Sequence, residues 1–389
     1  MLGKGREMAI DTAAKYRDRF PVFGSVAYLN SCSQGALSHE VRAAFSQYLD
    51  GMDERGSLWE EWVGRQEDVR ELIAKVFSTT SDQVAITTSA SAGASSLMSA
   101  IDFTKGKNKI VTTGLEFPTI GQISHAQELR GAEIFHVPAE ADNRLDIAKV
   151  AAAIDYKTVL VAVTHVCYRN GSMTDIKAIV DLAHARGVPV LVDAYQSAGA
   201  IPINFEELGA DFLVGGVLKY MLSCPGVGFM LVNKNNVMKA IPTMTGWFAA
   251  RDIFAMDIMK YDPAIDARRF ESGTPPIPSL YAAKAGIGLL LEVGLDNAWA
   301  HTKMLHEQMR EGIVALGGKC ATPAGAGFHA AMLAVKVTDE HAMVAAVAQD
   351  KVVISSRDSN IRISPHFYNN HEDIERLLAS IAKNKHLLA

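Results

Sequence analysis

A lysine taken out of water without a partner is destabilising, because burial favours the uncharged amine and lowers its pKa. The chain places Lys219 shortly after the apolar run Phe212-Leu213-Val214-Gly215, so the amine must either snorkel to solvent or be chemically committed. Earlier in the sequence, Asp193 closes a second apolar run, Val188-Pro189-Val190-Leu191-Val192. A carboxylate there either caps the following turn or sits where open parallel sheets hold their ligands, outside the carboxyl ends of the strands. Together the two groups have one shared use. Pyridoxal 5'-phosphate needs a lysine to form a Schiff base and a carboxylate to keep its ring nitrogen protonated, so that the ring can act as an electron sink. It also needs an anion site. Thr87-Thr88-Ser89-Ala90-Ser91-Ala92-Gly93-Ala94 follows the run Val84 to Ile86 and opens a helix, so backbone N–H groups and the Ser91 hydroxyl can converge on a phosphate. Taken alone, a Ser/Ala-rich helix start is a common cap.

The elements that must position these groups are legible as short β-branched runs alternating with helical patterns. The runs are Val84 to Thr88, Ile110 to Thr113, Glu133 to Val137, Thr158 to Thr164, Val188 to Asp193, Phe212 to Gly215 and Gly228 to Val232, and they read as buried parallel strands. Between them, Val69, Leu72, Ile73 and Val76 fall at helical spacing, as do Ile176, Ile179, Val180 and Ala183, with Thr174 as an expected N-cap and Gly187 as a stop. Beyond about residue 276 the pattern changes to a long helical stretch, Ser279 to Leu316, and isolated strands around His329 to Val337, Val352 to Ser355 and Ile361 to Ser364. A final helix carries Ile374, Leu377, Leu378 and Ile381 on one face. We therefore expect residues 26–275 to form a large cofactor-binding α/β domain, 276–389 a small α+β domain, and 1–25 a segment packing with the small domain.

Composition narrows the function classes. With 389 residues, 38 basic and 43 acidic side chains and a net charge of −5, the chain lacks the electrostatic footprint of a nucleic-acid binder. No run approaches the roughly 18 apolar residues of a membrane span. Four scattered cysteines, Cys32, Cys167, Cys224 and Cys320, fit neither a disulfide framework nor a zinc pair, and point to a cytoplasmic protein. Gly325-Ala326-Gly327-Phe328-His329-Ala330 formally fits a dinucleotide fingerprint, but it precedes a strand rather than a helix. No HExxH, GxSxG or GxxxxGK[ST] motif occurs, and no metal is indicated.

The chain resembles the class V aminotransferase family of fold-type I pyridoxal-phosphate enzymes, which includes cysteine desulfurases, kynureninases and isopenicillin N epimerase-like proteins. The likeness runs from Tyr28-Leu29-Asn30 to Tyr368-Asn369. It is carried by Val192-Asp193-Ala194-Tyr195-Gln196-Ser197-Ala198-Gly199, by Gly209-Ala210-Asp211 through Lys219-Tyr220 to Pro225-Gly226, by Arg269-Phe270-Glu271-Ser272-Gly273-Thr274-Pro275, and by Ile361-Arg362-Ile363-Ser364-Pro365. The resemblance implies a large domain with a mostly parallel seven-stranded sheet and a small α+β domain. It implies Lys219 as the Schiff-base lysine, Asp193 as the ring-nitrogen partner, Gln196 as donor to the phenolic oxygen and Phe117 as the residue stacking on the ring. Ala90 and Ser91 match the phosphate-binding turn. Thr274 and Trp247 would reach the phosphate from the other subunit of a homodimer, and Arg362 would bind the substrate α-carboxylate. Asn30, His165 and Arg169 are expected on the substrate side.

By the same resemblance the chain is expected to be an enzyme that joins a small amino acid to the cofactor as an external aldimine and uses Lys219 to move the α-proton. An aminotransferase is the leading expectation, with a β-eliminating carbon–sulfur lyase or an epimerase as alternatives, and a non-catalytic ligand sensor on the same fold as a reading from another class. Two departures bear on this. Many relatives carry a hydroxyl or imidazole three residues and one residue before the lysine, where this chain has Gly216 and Leu218. The stretch His341 to Ile361, where desulfurases keep a nucleophilic cysteine, has none.

Overall fold

The computed structural model describes residues 11–237 and 239–389. Its centre is a seven-stranded sheet built from β2 (Val84–Thr87), β3 (Lys109–Thr113), β4 (Glu133–Val137), β5 (Thr158–Thr164), β6 (Val190–Asp193), β7 (Phe212–Gly216) and β8 (Gly228–Val232), in the order β2-β8-β7-β6-β5-β3-β4. Every residue of β6, β7 and β8 is buried, which is why these runs are uniformly apolar rather than alternating. Each fully buried Val or Leu contributes about 1.5–3 kcal/mol, so the register of these strands is strongly held. In that register Thr164 pairs with Asp193, and Asp193 with Val214, which brings the ends of β5, β6 and β7 to one rim. The sheet is mostly parallel, as expected, and the exception is the run Gly228 to Val232: β8 runs antiparallel to both β7 and β2. The connection from Gly216 to Gly228 holds no helix, and a parallel return needs a crossover of about a dozen residues or more, usually a helix.

Helices cover the sheet. The His39–Arg55, Trp59–Val76 and Ile277–Val293 helices pack together. The helix Ile176–His184 is capped by Asp175, whose side chain accepts from the Ala178 N–H at 3.0 Å, rather than by Thr174. The long stretch expected from Ser279 to Leu316 is two helices, Ile277–Val293 and Leu295–Ala315, broken where Gly294 takes a φ of +85°. Leu280, Tyr281, Ile287 and Leu290 belong to the core of the large sheet, whereas Leu305, Met309 and Ile313 belong to a second core. The changeover between cores thus runs along the second of these helices, beyond the position 276 suggested by the Thr274-Pro275-Pro276 punctuation.

The second core is organised by a three-stranded antiparallel sheet of β9 (Leu333–Lys336), β11 (Ser355–Arg357) and β12 (Asn360–Ile363), backed by the Glu340–Gln349 and His371–Lys383 helices. Residues from near the start of the chain join it. β1 (Ala27–Tyr28) pairs in parallel with β10 (Val352–Val353), and Asn30 bridges to Ser364. Of the 1–25 segment, residues 1–10 lie outside the described residues. Within the remainder, Thr12 donates to the Phe367 carbonyl at 2.8 Å and Arg17 pairs with Asp373 at 2.6 Å, whereas Phe20 packs on Tyr368 within the core of the large sheet.

A buried ion pair positions the Gly273-Thr274 turn. Arg70 Nη1 meets Glu271 Oε1 at 2.5 Å, and Glu271 also accepts from the Ile86 N–H and from Gln66 Nε2, each at 2.8 Å. Removing one member of such a pair leaves an uncompensated charge, at about 3–5 kcal/mol. Among the described residues, no helix is long and apolar enough to cross a membrane.

Candidate active site

The loop that carries Lys219 is held from below by the N-terminal loop. Gln34 Nε2 donates to the carbonyls of Leu218 at 2.9 Å and Ser223 at 2.8 Å, and the Gly35 N–H donates to Leu218 at 2.9 Å. His366 Nε2 lies 2.9 Å from the Tyr220 carbonyl. With its backbone so fixed, Lys219 projects into a cavity of about 300 Å³ at the carboxyl ends of β5, β6 and β7. Asp193, Gln196, Phe117, Ala90 and Ser91 line the same cavity. The structure thus brings together six of the residues singled out from sequence, drawn from four separate segments.

Each group has a definable state. Asp193 accepts from the Tyr195 N–H at 2.9 Å, and burial raises its carboxyl above the usual range, offset in part by that hydrogen bond and by Lys219. Burial lowers Lys219, against the opposing pull of Cys32 and Asp193, and Arg362 lowers it further. A cation brought against Asp193 would favour its ionised form again. Gln196 Nε2 donates to the Cys32 carbonyl at 3.1 Å, leaving a second amide hydrogen, and its Oε1 is buried without a partner. Phe117 presents a 42 % exposed ring, with Lys219 Nζ 5.9 Å from its centroid and Tyr168 edge-on at 4.8 Å.

On the opposite wall the Ala90–Ser99 helix begins. Ser89 caps it by accepting from the Ala92 N–H at 3.1 Å, and Ser91 Oγ lies 3.1 Å from Thr119 Oγ1. The amides of Ala90 and Ser91 open the helix and have no carbonyl within it to bond. β8 can come up against this turn only because residue 228 is glycine, since a Cβ there would lie 2.4 Å from the Ser89 carbonyl carbon. An aromatic platform, a carboxylate, a lysine and an amide cradle in one cavity fit pyridoxal phosphate in kind and arrangement.

Arg362 stands above the cavity. It is 6 % exposed, and its Nη atoms donate only to neutral oxygens: the Tyr168 carbonyl at 2.8 Å, Ser355 Oγ at 3.1 Å and Ser33 Oγ at 3.4 Å. Its Nε is buried and unpartnered. Ser33 lines the cavity itself, so the guanidinium adjoins it, with no carboxylate opposite among the described residues.

The other expected substrate-side residues are placed differently. His165 does not enter the cavity. Thr164, Val166 and Tyr168 line it, and in an extended chain the intervening side chain faces the other way, so His165 lies in a second cavity with Arg144, Met173, Asp175 and Phe328. It is 8 % exposed there, and burial pushes its imidazole down to about 4. Arg169 sits outside the cavity lining, donating to the Gly114 carbonyl and lying 3.7 Å from Asp358. Asn30 acts through its backbone, accepting from the Ser33 and Gln34 amides. Thr274 is exposed, and Trp247 packs edge-on against Trp59 at 5.8 Å; neither enters the cavity of its own chain.

Sequence reasoning missed Tyr195, Ser33, Thr119 and Glu116. Tyr195 lines the cavity with Lys219 Nζ 4.5 Å from its ring centroid, two residues beyond Asp193, where alternation could have flagged it. Glu116, just before Phe117, accepts from Thr113 Oγ1 at 2.6 Å and the Thr164 N–H at 2.9 Å, with Oε2 buried and unpartnered. Burial, beyond what those hydrogen bonds offset, pushes it up to about 8.

Comparison with known proteins agrees with this geometry. Residues 28–377 match the model of the family Aminotransferase class-V. An uncharacterized aminotransferase of Bacillus subtilis, YcbU, is 34% identical over 370 residues, covering 95% of this chain and 97% of its own. A kynureninase of Deinococcus radiodurans is 28% identical, over 74% of this chain and 71% of its own. Among solved structures, the apo cysteine desulfurase of Thermococcus onnurineus superposes with a TM-score of 0.86 at 22% identity, covering 99% of this chain and 100% of that one. A C-DES variant with glycine covalently linked to its PLP cofactor gives 0.87 at 22% identity, covering 94% and 98%. The chain belongs to the class V aminotransferase family. It is a pyridoxal-phosphate-dependent enzyme of the fold-type I class.

Proposed function

We propose that the protein is an aminotransferase acting on a small α-amino acid, with Lys219 and Asp193 as its catalytic pair. The observation that carries this reading is the conjunction of Lys219 and Asp193 in one cavity with an arginine above it that no carboxylate among the described residues neutralises. When bound, pyridoxal phosphate supplies an electron sink that makes the substrate α-hydrogen acidic. Asp193 holds the proton on the ring nitrogen, and Phe117 covers a ring face. The Ala90 and Ser91 amides with the Ser91 hydroxyl take the phosphate, and the second Gln196 amide hydrogen is free for the phenolic oxygen. Arg362 offers a planar two-pronged donor to the α-carboxylate, at the cost only of bonds to a carbonyl and two hydroxyls. Lys219 Nζ, its basicity reduced by burial, would take and return the α-proton.

Transamination is favoured over persulfide chemistry because no thiol lines the cavity among the described residues. Cys32 and Cys167 are buried, at 1% and 0% exposure. β11 and β12 are joined by the two-residue turn Asp358-Ser359, both with φ of +59°, so the place of a long cysteine-bearing loop is taken by a tight hairpin. A homodimer is the proposed assembly. Phe254, Met256, Ile258, Met259 and Tyr261 form an apolar exposed stretch, with Ile258 92 % exposed, on the segment between Trp247 and Thr274. A second copy seated there would cover it. With all four cysteines free, the protein suits the reducing cytoplasm.

The test is a screen of the purified holoenzyme against amino acids with separate assays for keto acid, ammonia and sulfide. Keto acid formation dependent on an acceptor keto acid is expected. Ammonia or sulfide as the principal product with any amino acid, without acceptor dependence, would move the enzyme to the lyases.

A further inference from the structure

We propose that the Tyr195 phenol is a phosphate ligand, donating its hydroxyl hydrogen to the cofactor's phosphate beside the first turn of the Ala90–Ser99 helix. This rests on the cofactor reading above and deepens it. Gly216 and Gly228 are directly opposed in the β7–β8 pair, and opposed residues carry their Cβ positions on the same face of the sheet, about 4.5–5.5 Å apart. A Cβ on Gly228 would lie 2.4 Å from the Ser89 carbonyl carbon and 2.7 Å from the Ala90 nitrogen. On Gly216 it would lie 2.4 Å from Tyr195 Oη and 2.5 Å from Cζ. One bare backbone position therefore receives the helix's entry turn, and its neighbour on the same face receives the phenol oxygen. An anion held by the Ala90 amide has that hydroxyl at its side.

The surrounding donors leave this position to be filled. Gly216 has no side chain, and Leu218 offers no polar atom next to Lys219. The Ser89 and Ser91 hydroxyls belong to the helix start, where they meet the Ala92 N–H and Thr119 Oγ1. Among the described residues Tyr195 Oη has no hydrogen-bond partner, while its backbone N–H is anchored on Asp193. Burial, then the charge of Asp193, pushes the phenol up to about 12, so it is protonated and can only donate to a phosphate dianion. The same ring that displaces a side chain at position 216 also supplies the hydroxyl that such a side chain could have carried.

The experiment is a titration of apoenzyme with pyridoxal phosphate and, separately, with pyridoxal, which lacks the phosphate, followed by protein fluorescence and visible absorbance. Tyr195→Phe keeps the ring and its packing. It should weaken pyridoxal phosphate by about tenfold or more while leaving pyridoxal within about twofold of wild type. Tyr195→Ala should show the same selective loss. Adding Gly216→Ser should recover most of it, because removing the ring opens the space into which the new hydroxyl points. A Tyr195→Phe protein that binds pyridoxal phosphate as tightly as wild type, or that loses pyridoxal in equal measure, overturns the assignment. So does a double variant no better than Tyr195→Ala. Wild-type apoenzyme that binds neither compound overturns the cofactor reading itself, a failure seen before any variant is compared.

Discussion

The floor of the cavity and its upper wall are built by different rules. The floor, with Asp193, Tyr195, Gln196 and Lys219, stands at the ends of adjacent fully buried strands, and its groups are fixed by sheet register. The upper wall, with Arg362, Ser33, Ser355 and the Tyr168 carbonyl, is assembled from three distant segments, Ser355 and Arg362 sharing one hairpin, joined by a handful of hydrogen bonds. The floor holds a buried amine and carboxylate whose charges suit a single resident partner. The wall holds a charge satisfied only by neutral oxygens, which a visiting carboxylate can replace. Permanence below and exchange above is the division of labour expected between a cofactor and its substrate.

Substitutions should separate the two regions by kind as well as size. The largest effect is expected for Lys219→Ala, which removes the proposed base and covalent anchor: turnover should fall by roughly 10³-fold or more, with loss of a borohydride-sensitive visible band. A variant that keeps that band would displace the lysine from its role. On the wall, Arg362→Lys keeps the charge and loses the fork. Its kcat/KM should drop about 10–100-fold, mainly through KM, with cofactor absorbance unchanged, and intact amino-acid kinetics would break the comparison at its upper half.

A third substitution probes, through stability, the buried carboxyl that adjoins the floor at Thr164. Glu116 stays protonated in the folded state up to about pH 8, whereas in the unfolded chain it ionises near 4.5. Between those values the unfolded state holds fewer protons, so this group makes stability fall as pH rises, with no further change above about 8. Glu116→Gln removes that dependence and keeps an oxygen for the Thr113 and Thr164 donors. Measured by denaturant unfolding, its stability relative to wild type should rise by on the order of 2–4 kcal/mol from pH 5 to pH 8. Parallel curves would show that the carboxyl is ionised in the fold. The smallest effect belongs to the rim. Asp358→Asn, which suits the turn's positive φ, removes a half-exposed ion pair with Arg169 worth about 0–1 kcal/mol, so kcat/KM should change by less than about fivefold.

The same contrast explains how much the sequence makes legible. Asp193 and Lys219 are legible because each comes after an apolar run that can only be a buried strand, and the phosphate turn because it joins a strand to a helix. Arg362 is found through family resemblance, since nothing local in Ile361-Arg362-Ile363 tells that Ser33 and Tyr168 will surround it. His165 falls on the other side from the one expected because the loop after β5 stays extended, so alternate residues diverge. The antiparallel β8 is open to a length argument, as its connection from β7 is too short for a helical crossover. The break at Gly294 is obscured by apolar residues that continue on both sides of it.

The clasp between the two ends of the chain has a consequence for how the protein is made. The strands of the large sheet are all encoded by residue 232, but the loop that supports the Lys219 backbone is itself secured by the Asn30–Ser364 bridge and by Tyr368 Oη at the Ala36 amide, and the lysine loop is held directly by His366 at the Tyr220 carbonyl. None of those partners exists until residues 364–368 have left the ribosome. Contacts so distant in sequence form late, after the loop-closure entropy between them has been overcome. A ribosome-stalled chain ending near residue 330 should therefore carry a protease-resistant sheet and an unsecured lysine loop, and competence to retain the cofactor should arrive only once residues 364–368 have emerged.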